Sequence, residues 1–167
     1  MNKQVFYNRY GEECFLGDAV PTNKKGYFAV LIKDDKVLVT IPEGADIPEF
    51  PGGNKQRNET PRESLYRKLY EETGVDFELG CGCSDKEFNH VVDYFSIEDK
   101  PNGRFFFYDQ TFYVYDASAF GIDATEKVWK TPDGAQACWV KMKDIIKEKK
   151  KINYAHWLAF KEIFMKG

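Results

Sequence analysis

The sequence predicts an α/β fold, in which a mixed β-sheet is covered by helices on both faces. Runs rich in β-branched and aromatic residues lie on both sides of one well-marked helix in mid-chain. Two further helical segments follow near the C-terminal end. Helices in these places must pack on the sheet to bury its apolar faces. One domain, residues 1–167, is predicted, because this length demands no second core.

The first two strands are predicted at GYFAVLI (26–32) and KVLVTI (36–41). The charged turn KDDK, Lys33 to Lys36, joins them as a hairpin. The next segment, PEGADIPEFPGGN (42–54), is predicted to be a loop because it is rich in Pro and Gly.

The mid-chain helix is predicted to start at Thr60 and to stop at Gly74. Thr60 can cap the first turn, Pro61 suits the first helical position, and Glu63 can complete a capping box. Gly74 favours the left-handed backbone that ends a helix. One apolar stripe at helical spacing is predicted to pack on the protein body. Its members are Leu65, Tyr66, Leu69, Tyr70 and Thr73.

Strands and then two helices are predicted after this helix. The strand segments are VDFELG (75–80), EFNHVVDYFSI (87–97), RFFFYDQTFYVYDASAF (104–120) and ACWV (137–140). The aromatic run 104–120 is apolar on both alternating faces, which is typical of a central strand buried from both sides. The helices are MKDIIKEK (142–149) and NYAHWLAFKEIFMK (153–166), the second with Tyr154, Trp157, Leu158 and Phe164 toward the core.

Composition argues against several classes of partner. A net charge of -3 provides no global field for nucleic acid or an anionic membrane. The N-terminal residues lack the apolar core of a signal peptide, and no apolar window is long enough for a membrane span. A cytoplasmic protein is therefore predicted. The cysteines are interpreted as free thiols, and they are Cys14, Cys81, Cys83 and Cys138.

Two adjacent carboxylates, Glu71 and Glu72, lie near the end of the mid-chain helix, and Lys68 precedes them by one turn. At about 100° per residue, Lys68 projects between them on the polar side. Carboxylates this close require positive charge, and Mg²⁺ takes oxygen ligands while it keeps waters for a phosphate-bearing substrate. The Gly52-Gly53 turn can offer a carbonyl to a metal or amides to a phosphate.

This spacing resembles the Nudix box, the signature of hydrolases that act on nucleoside diphosphates linked to another moiety. The matching positions are Gly53, Glu59, Arg67, Leu69, Glu71, Glu72, Gly74 and Val75. Lys68 departs from the pattern, which has glutamate there. The resemblance implies a Nudix-type α/β/α sandwich, in which the box forms a loop, a helix and a second loop.

The resemblance also implies roles for individual residues. Glu71 and Glu72, with Gly53 in the loop beside the metal, would bind Mg²⁺ or Mn²⁺, while Glu59 and Arg67 would pair and orient the loop. The predicted catalytic residues are thus Glu71, Glu72, Arg67 and Lys68, and the predicted substrate-binding residues are Gly52, Gly53 and Lys68.

Lys68 leaves three interpretations open. In the first, the enzyme works with fewer metals, Lys68 contacts a substrate phosphate, and Glu49 or Asp133 assists water. In the second, the protein is a catalytically impaired Nudix-fold protein that binds a nucleotide or a protein partner. In the third, Lys68 points to solvent and Glu71 and Glu72 are ordinary surface acids. Relatives often carry an acidic residue shortly before the late tryptophan, where this chain has Ala135 and Gln136.

The two histidines, His90 and His156, are interpreted as packed or surface residues rather than catalysts. The predicted substrate is a small nucleotide or another diphosphate, and its identity is left open because loops outside the box set it. Phe112 or Tyr113 in the aromatic run is a candidate for stacking on a base. An aromatic-rich surface would also permit a homodimer.

Overall fold

A computed structural model of the chain describes residues 6–14, 22–74, 86–99, 104–117 and 128–165. The strands are β1 (Phe6–Tyr7), β2 (Glu13–Cys14), β3 (Thr22–Lys33), β4 (Lys36–Ile41), β5 (Gly52–Asn54), β6 (Lys86–Asp99), β7 (Arg104–Asp116), β8 (Val128–Lys130) and β9 (Gln136–Lys141). The helices are α1 (Pro61–Thr73), α2 (Met142–Ile146) and α3 (Tyr154–Met165). The predicted strand at 75–80 lies outside the described residues.

The main sheet has the strand order β6-β7-β3-β4-β9-β8, and β5 adds to β3. β3 and β7 run parallel, while the other pairs in this sheet are antiparallel. Lys33 opposes Lys36 in the β3–β4 hairpin, so the predicted turn is confirmed. β1 and β2 pair separately. The sheet is therefore mixed, as the sequence predicts.

Alternate side chains of β3 enter two hydrophobic cores on opposite faces of the sheet. Ala29 and Leu31 belong to the core that α1 completes with Leu65 and Leu69. Phe28 belongs to the other core, which α2 and α3 complete with residues such as Ile145 and Phe160. Period-two alternation along a strand separates the two cores. The α/β/α sandwich is thereby confirmed.

The predicted ends of α1 are confirmed, but its predicted packing face is partly wrong. The Thr60 hydroxyl accepts a hydrogen bond from the Glu63 amide at 3.1 Å, and Gly74 ends the helix with φ 78°. Tyr70, predicted to be packed, is 52% exposed. Glu72 is buried instead. Its carboxylate has a backbone partner in the neighbouring loop, so the packed face is rotated toward that loop.

The described side chains of β7, from residue 108 onward, enter the cores on both faces of the sheet, as the aromatic pattern predicts. Phe112 enters the core under α3, whereas Tyr115 enters the core under α1. Helix α2 ends at Ile146, three residues earlier than predicted. In α3 the fully buried large side chains are His156 and Phe160, while the predicted core residues Tyr154, Trp157, Leu158 and Phe164 are partly buried.

No helix in the described ranges is long and apolar enough to cross a membrane. Cys138 is a free thiol, and the other three cysteine side chains lie outside the described part of the chain. The single domain over 1–167, the cytoplasmic location and the homodimer stay predictions.

Candidate active site

Residues 49–54 form a loop that is attached to two strands of the sheet. Glu49 exchanges backbone hydrogen bonds with Thr40 of β4 at 2.7 and 2.8 Å. The Pro51 carbonyl accepts from the Ala29 amide of β3 at 2.8 Å, and Gly52 pairs with Phe28. Pro and Gly obscure this short strand in the sequence, so the prediction of an unpaired loop is wrong at β5. The sheet therefore holds the loop rigidly beside α1.

Gly52 brings the loop close enough for its amide to bind a carboxylate of α1. A Cβ atom at this position would lie 2.3 Å from the Tyr27 carbonyl oxygen and 2.6 Å from the Phe28 Cα. The backbone is also in the glycine region, at φ 146°. The Gly52 amide donates to Glu72 Oε2 at 2.8 Å. Glycine is thus required here for both conformation and space.

We expect Gly52→Ala to lower the free energy of unfolding by at least about 2 kcal/mol, from backbone strain and a clash with β3. Urea denaturation measures this loss. Gly44→Ala is the matched control, because Gly44 has φ 80° but no atom within 4 Å of an added Cβ. The control should lose no more than about 1 kcal/mol from strain alone. Equal losses in the two variants would contradict the role of the close approach.

Arg67 connects the loop that follows β5 to helix α1. Its Nε and Nη2 atoms donate to the two oxygens of Glu59 at 2.6 and 3.0 Å. Nη2 also donates to the Asn54 carbonyl at 3.3 Å, and Nη1 lies 3.3 Å from Glu71 Oε1. Hydrogen bonding from Arg67 lowers the pKa of Glu59. The geometry is that of the bidentate pair that the resemblance implies.

Lys68 lies between the two carboxylates that end α1. Its Nζ atom is 3.3 Å from Glu71 Oε2 and 3.8 Å from Glu72 Oε1. The Lys68 side chain is 22% exposed, and that of Glu72 is 7% exposed. An added Cβ on Gly53 would lie 2.5 Å from Lys68 Cε, so this glycine makes room for the lysine. The interpretation that Lys68 points to solvent is therefore wrong.

These residues meet at a cavity of about 480 Å³. Its wall includes Arg9, Phe28, Glu43, Glu49, Gly52, Gly53, Lys68, Glu72, Tyr108, Gln110, Asp133 and Asn153. Glu71, Glu59 and Arg67 lie behind this wall, where they hold Lys68 and the loop. The cavity is large enough for a small molecule beside Gly52 and Gly53.

Burial raises the pKa of two of the four acidic groups on the described wall, Glu72 and Glu49. Desolvation raises the pKa of Glu72 to about 8, against the opposing effect of the hydrogen bond from Gly52. Desolvation also raises the pKa of Glu49 to about 7, although the Asn153 hydrogen bond and the charges of Arg9 and Lys68 lower it. A carboxylate with a pKa near neutrality is suited to accept a proton during a reaction.

Glu49 and Asp133, the two candidate bases, both line the cavity but differ in their partners. Asp133 Oδ1 accepts from the Thr131 hydroxyl at 2.5 Å and from the Ala135 amide at 3.1 Å. Asp133 thus closes a turn, like other Asp residues that bond to backbone two positions on. The contact to Glu49 from Asn153 Nδ2 is long, at 3.4 Å. Glu49 is therefore the better placed to receive a proton from water.

The place that the resemblance assigns to a divalent metal, between Glu71 and Glu72, holds the Lys68 ammonium. Within the described ranges, no three side chains of His, Cys, Asp or Glu come together as a metal site. Repulsion between the ammonium and a cation about 4 Å away costs roughly 4 kcal/mol per unit charge, at the effective dielectric typical of a protein surface. The residues do not fit a resident Mg²⁺ or Mn²⁺ while Lys68 keeps this position.

Several wall residues are not among the sequence-predicted candidates. Tyr108 and Phe28 are the aromatic rings on the described wall, whereas the candidates Phe112 and Tyr113 do not line the cavity. Phe112 is fully buried in the core. The stacking prediction is thus wrong for both, because strand alternation does not reveal which side carries the cavity. Asn153 could have been identified from the sequence as the N-cap of α3, because Asn is a preferred capping residue. Its side-chain oxygen accepts a hydrogen bond from the Ala155 amide.

His156 is a packed residue, as predicted. It is fully buried, and its Nδ1 atom accepts a hydrogen bond from the Phe50 amide at 2.9 Å. Phe28, Phe50 and Phe112 surround the ring with centroid separations of 4.5, 5.6 and 5.1 Å. Burial lowers its pKa to about 3, so the ring stays neutral. The His90 side chain lies outside the described part of the chain.

Solved structures resemble this chain over most of its length. The MutT Nudix hydrolase of Burkholderia pseudomallei has a TM-score of 0.59 and 20% identity, over 85% of this chain and 98% of that chain. The dihydroneopterin triphosphate pyrophosphohydrolase of E. coli has a TM-score of 0.62 and 12% identity, over 87% and 99%. At these identities the likeness shows the fold.

Sequence comparisons extend the likeness. The RNA pyrophosphohydrolase of Halorhodospira halophila is 48% identical over 42 residues, which are 25% of this chain and 23% of that protein. The match thus spans about a quarter of that relative. The model of the NUDIX domain family matches residues 22–160, which contain the whole loop, helix α1 and the cavity wall except Arg9. The chain therefore belongs to the Nudix family, whose members are hydrolases of nucleoside diphosphate derivatives.

Proposed function

We propose that the chain hydrolyses a phosphoanhydride bond in a small molecule that contains a diphosphate, most simply a nucleotide. The observation that carries this proposal is the convergence of Lys68, Glu72 and Glu49 with the Gly52-Gly53 loop on one cavity of about 480 Å³. The relative from Halorhodospira halophila, 48% identical over 42 residues, is an RNA pyrophosphohydrolase, which supports the proposal. Such a hydrolase requires a phosphate subsite, a water and a proton acceptor.

The diphosphate is proposed to lie against Gly52 and Gly53, with one phosphate at the Lys68 ammonium. Tyr108 and Phe28, on the same wall, offer aromatic surface to a nucleobase. Arg9 on that wall adds a second positive charge for the substrate. A nucleoside diphosphate derivative fits this combination of cations and rings better than a purely inorganic substrate.

The reaction is proposed as attack of one water on a phosphorus atom. The water oxygen forms a bond to phosphorus, its proton passes to Glu49, and the bond to the bridging oxygen breaks. The departing phosphate keeps the electron pair, and positive charge at Lys68 stabilises it. Nudix hydrolases generally depend on a divalent metal. The prediction of Mg²⁺ or Mn²⁺ at Glu71, Glu72 and Gly53 would require Lys68 to leave the position between the two carboxylates. The steps above use only protein side chains, because Lys68 lies in the metal position.

Release of phosphate or pyrophosphate from a substrate panel tests the proposal. The panel holds nucleoside triphosphates, nucleotide sugars, dinucleotides and non-nucleotide diphosphates, each with Mg²⁺ and with a chelator. We expect turnover of at least one compound and a loss of about 10²-fold or more in Glu49→Gln, which removes the proposed proton acceptor. The exposed Glu63→Gln, in the first turn of α1, is the matched control.

The alternative, a nucleotide-binding protein without turnover, has one observation in its favour: Lys68 is paired with both carboxylates of the box. Thermal stabilisation by a nucleotide with no product from any compound would support this alternative. Absence of both turnover and stabilisation would contradict either function. That the chain binds neither nucleic acid nor membranes stays a prediction, made from its overall charge.

A further inference from the structure

We infer that the Lys68 ammonium is the fixed cation of this site, so that the chain captures the diphosphate of its substrate without a divalent metal. The inference rests on the proposed function, because it concerns the phosphate subsite of the same cavity. It goes further by assigning to a side chain the charge that a bound metal supplies in the family generally.

The position of Nζ carries the inference. Nζ lies 3.3 Å from Glu71 Oε2 and 3.8 Å from Glu72 Oε1, so it bridges the two groups that would otherwise share a metal. Lys68 also lines the cavity, where the other basic residue on the described wall is Arg9. The ammonium is thus paired with the Glu71 carboxylate and also lines the cavity. An ammonium in this position can donate a hydrogen bond to a phosphate oxygen without leaving its partners, since it has three N–H donors.

The surroundings hold the lysine in place. Gly53 contributes most, since an added Cβ would lie 2.5 Å from Lys68 Cε and 3.4 Å from Nζ. Arg67 Nη1 lies 3.3 Å from Glu71 Oε1 and 3.5 Å from Glu71 Oε2, and the Gly52 amide donates to Glu72 Oε2 at 2.8 Å. These contacts hold both carboxyl groups in place beside Lys68. A preorganised ammonium loses little freedom when it binds a phosphate.

The test measures binding of inorganic pyrophosphate by calorimetry, with Mg²⁺ and with a chelator. We expect the Kd of the unmodified protein to differ by less than about threefold between the two conditions. Lys68→Gln should weaken binding in chelator by about tenfold or more, and Lys68→Arg should recover most of it. Lys143→Glu, at an exposed position of α2, is the control for a change in overall charge.

Two further variants distinguish the loss of the Lys68 cation from general damage to the site. Lys68→Glu should lose pyrophosphate binding in chelator and gain affinity for Mn²⁺ in electron paramagnetic resonance titrations. Gly53→Ala changes no charge but displaces Lys68, so it should weaken pyrophosphate binding as Lys68→Gln does. Circular dichroism confirms that each variant is folded.

The inference is overturned if the unmodified protein binds pyrophosphate only with Mg²⁺, or if Lys68→Gln binds it as well in chelator. Either result leaves the hydrolase proposal intact, because turnover is measured separately on the substrate panel. Conversely, binding in chelator that depends on Lys68, with no turnover of any compound, supports the inference and contradicts the hydrolase.

Discussion

Glu49→Gln is expected to lower kcat by about 10²- to 10⁴-fold, the usual contribution of a positioned general base. The amide has the shape of the carboxylate, and its oxygen can still accept the long hydrogen bond from Asn153. Backbone pairing of residue 49 with Thr40 is unaffected, so the loop should keep its place. Steady-state kinetics on the substrate found in the panel measures kcat and KM, and KM should change little.

Two comparisons make this result specific. Asp133→Asn should reduce kcat much less, because the carboxylate of Asp133 closes the turn at Thr131 and Ala135. Unfolding in urea should show no loss of stability in Glu49→Gln, since the substitution removes a buried charge close to Glu72. A kcat within a few-fold of the unmodified protein would exclude Glu49 as the base.

His156→Ala is expected to lower the free energy of unfolding by about 3–5 kcal/mol. The change removes a fully buried ring from between Phe28, Phe50 and Phe112, and truncation of a large core side chain costs this much. It also leaves the Phe50 amide without its acceptor. Urea denaturation measures the loss, and His156→Asn is the partner variant, because its side-chain oxygen can accept from the same amide.

The histidine should also make stability depend on pH. The folded ring has a pKa of about 3, whereas an unfolded histidine titrates near 6.5. Between these values the unfolded chain binds the extra proton, so stability falls as pH is lowered. We expect the unmodified protein to lose about 1.4 kcal/mol per pH unit below 6.5, relative to His156→Asn. Above that pH, the ring is neutral in both states and contributes no slope.

Comparison with His156→Asn is needed because other groups titrate in the same window. The raised pKa values of Glu49 and Glu72 act in the opposite direction, since the folded state holds those protons more tightly. Both groups are present in both proteins, so their effects cancel in the difference. Parallel pH profiles for the two proteins would show that His156 is not neutral in the folded state.

Local sequence patterns were sufficient to predict those features of the site that lie within helix α1. The spacing of Lys68, Glu71 and Glu72 predicts that the lysine projects between the two acids, and in the structure the Lys68 ammonium lies within 4 Å of both. Capping by Thr60 and the stop at Gly74 are equally local. The mixed sheet and its two helical layers follow from the order of strands and helices along the chain.

Features that depend on distant contacts were not predictable in this way. Tyr70 matches the apolar stripe of α1, yet it is exposed, because the Gly52 amide draws Glu72 into the buried position. The pairing of β5 with β3 depends on a close approach that only glycine allows. Arg9 reaches the cavity from a segment with no distinctive pattern. Strand alternation places Phe112 and Tyr115 on opposite faces, but it does not show where the cavity opens.

The parallel pairing of β3 with β7 determines when the site can form during folding. Thr22 is opposite Phe106 and Ile32 is opposite Asp116, so strands distant in the chain must meet before this part of the sheet exists. Such non-local pairing slows folding to milliseconds or longer, because the chain loses loop-closure entropy before the contacts between the strands stabilise it. On the ribosome, α1 and its acidic pair emerge well before β7 does. The nascent chain therefore carries the complete motif for a long interval before it has a completed sheet to hold that motif in place.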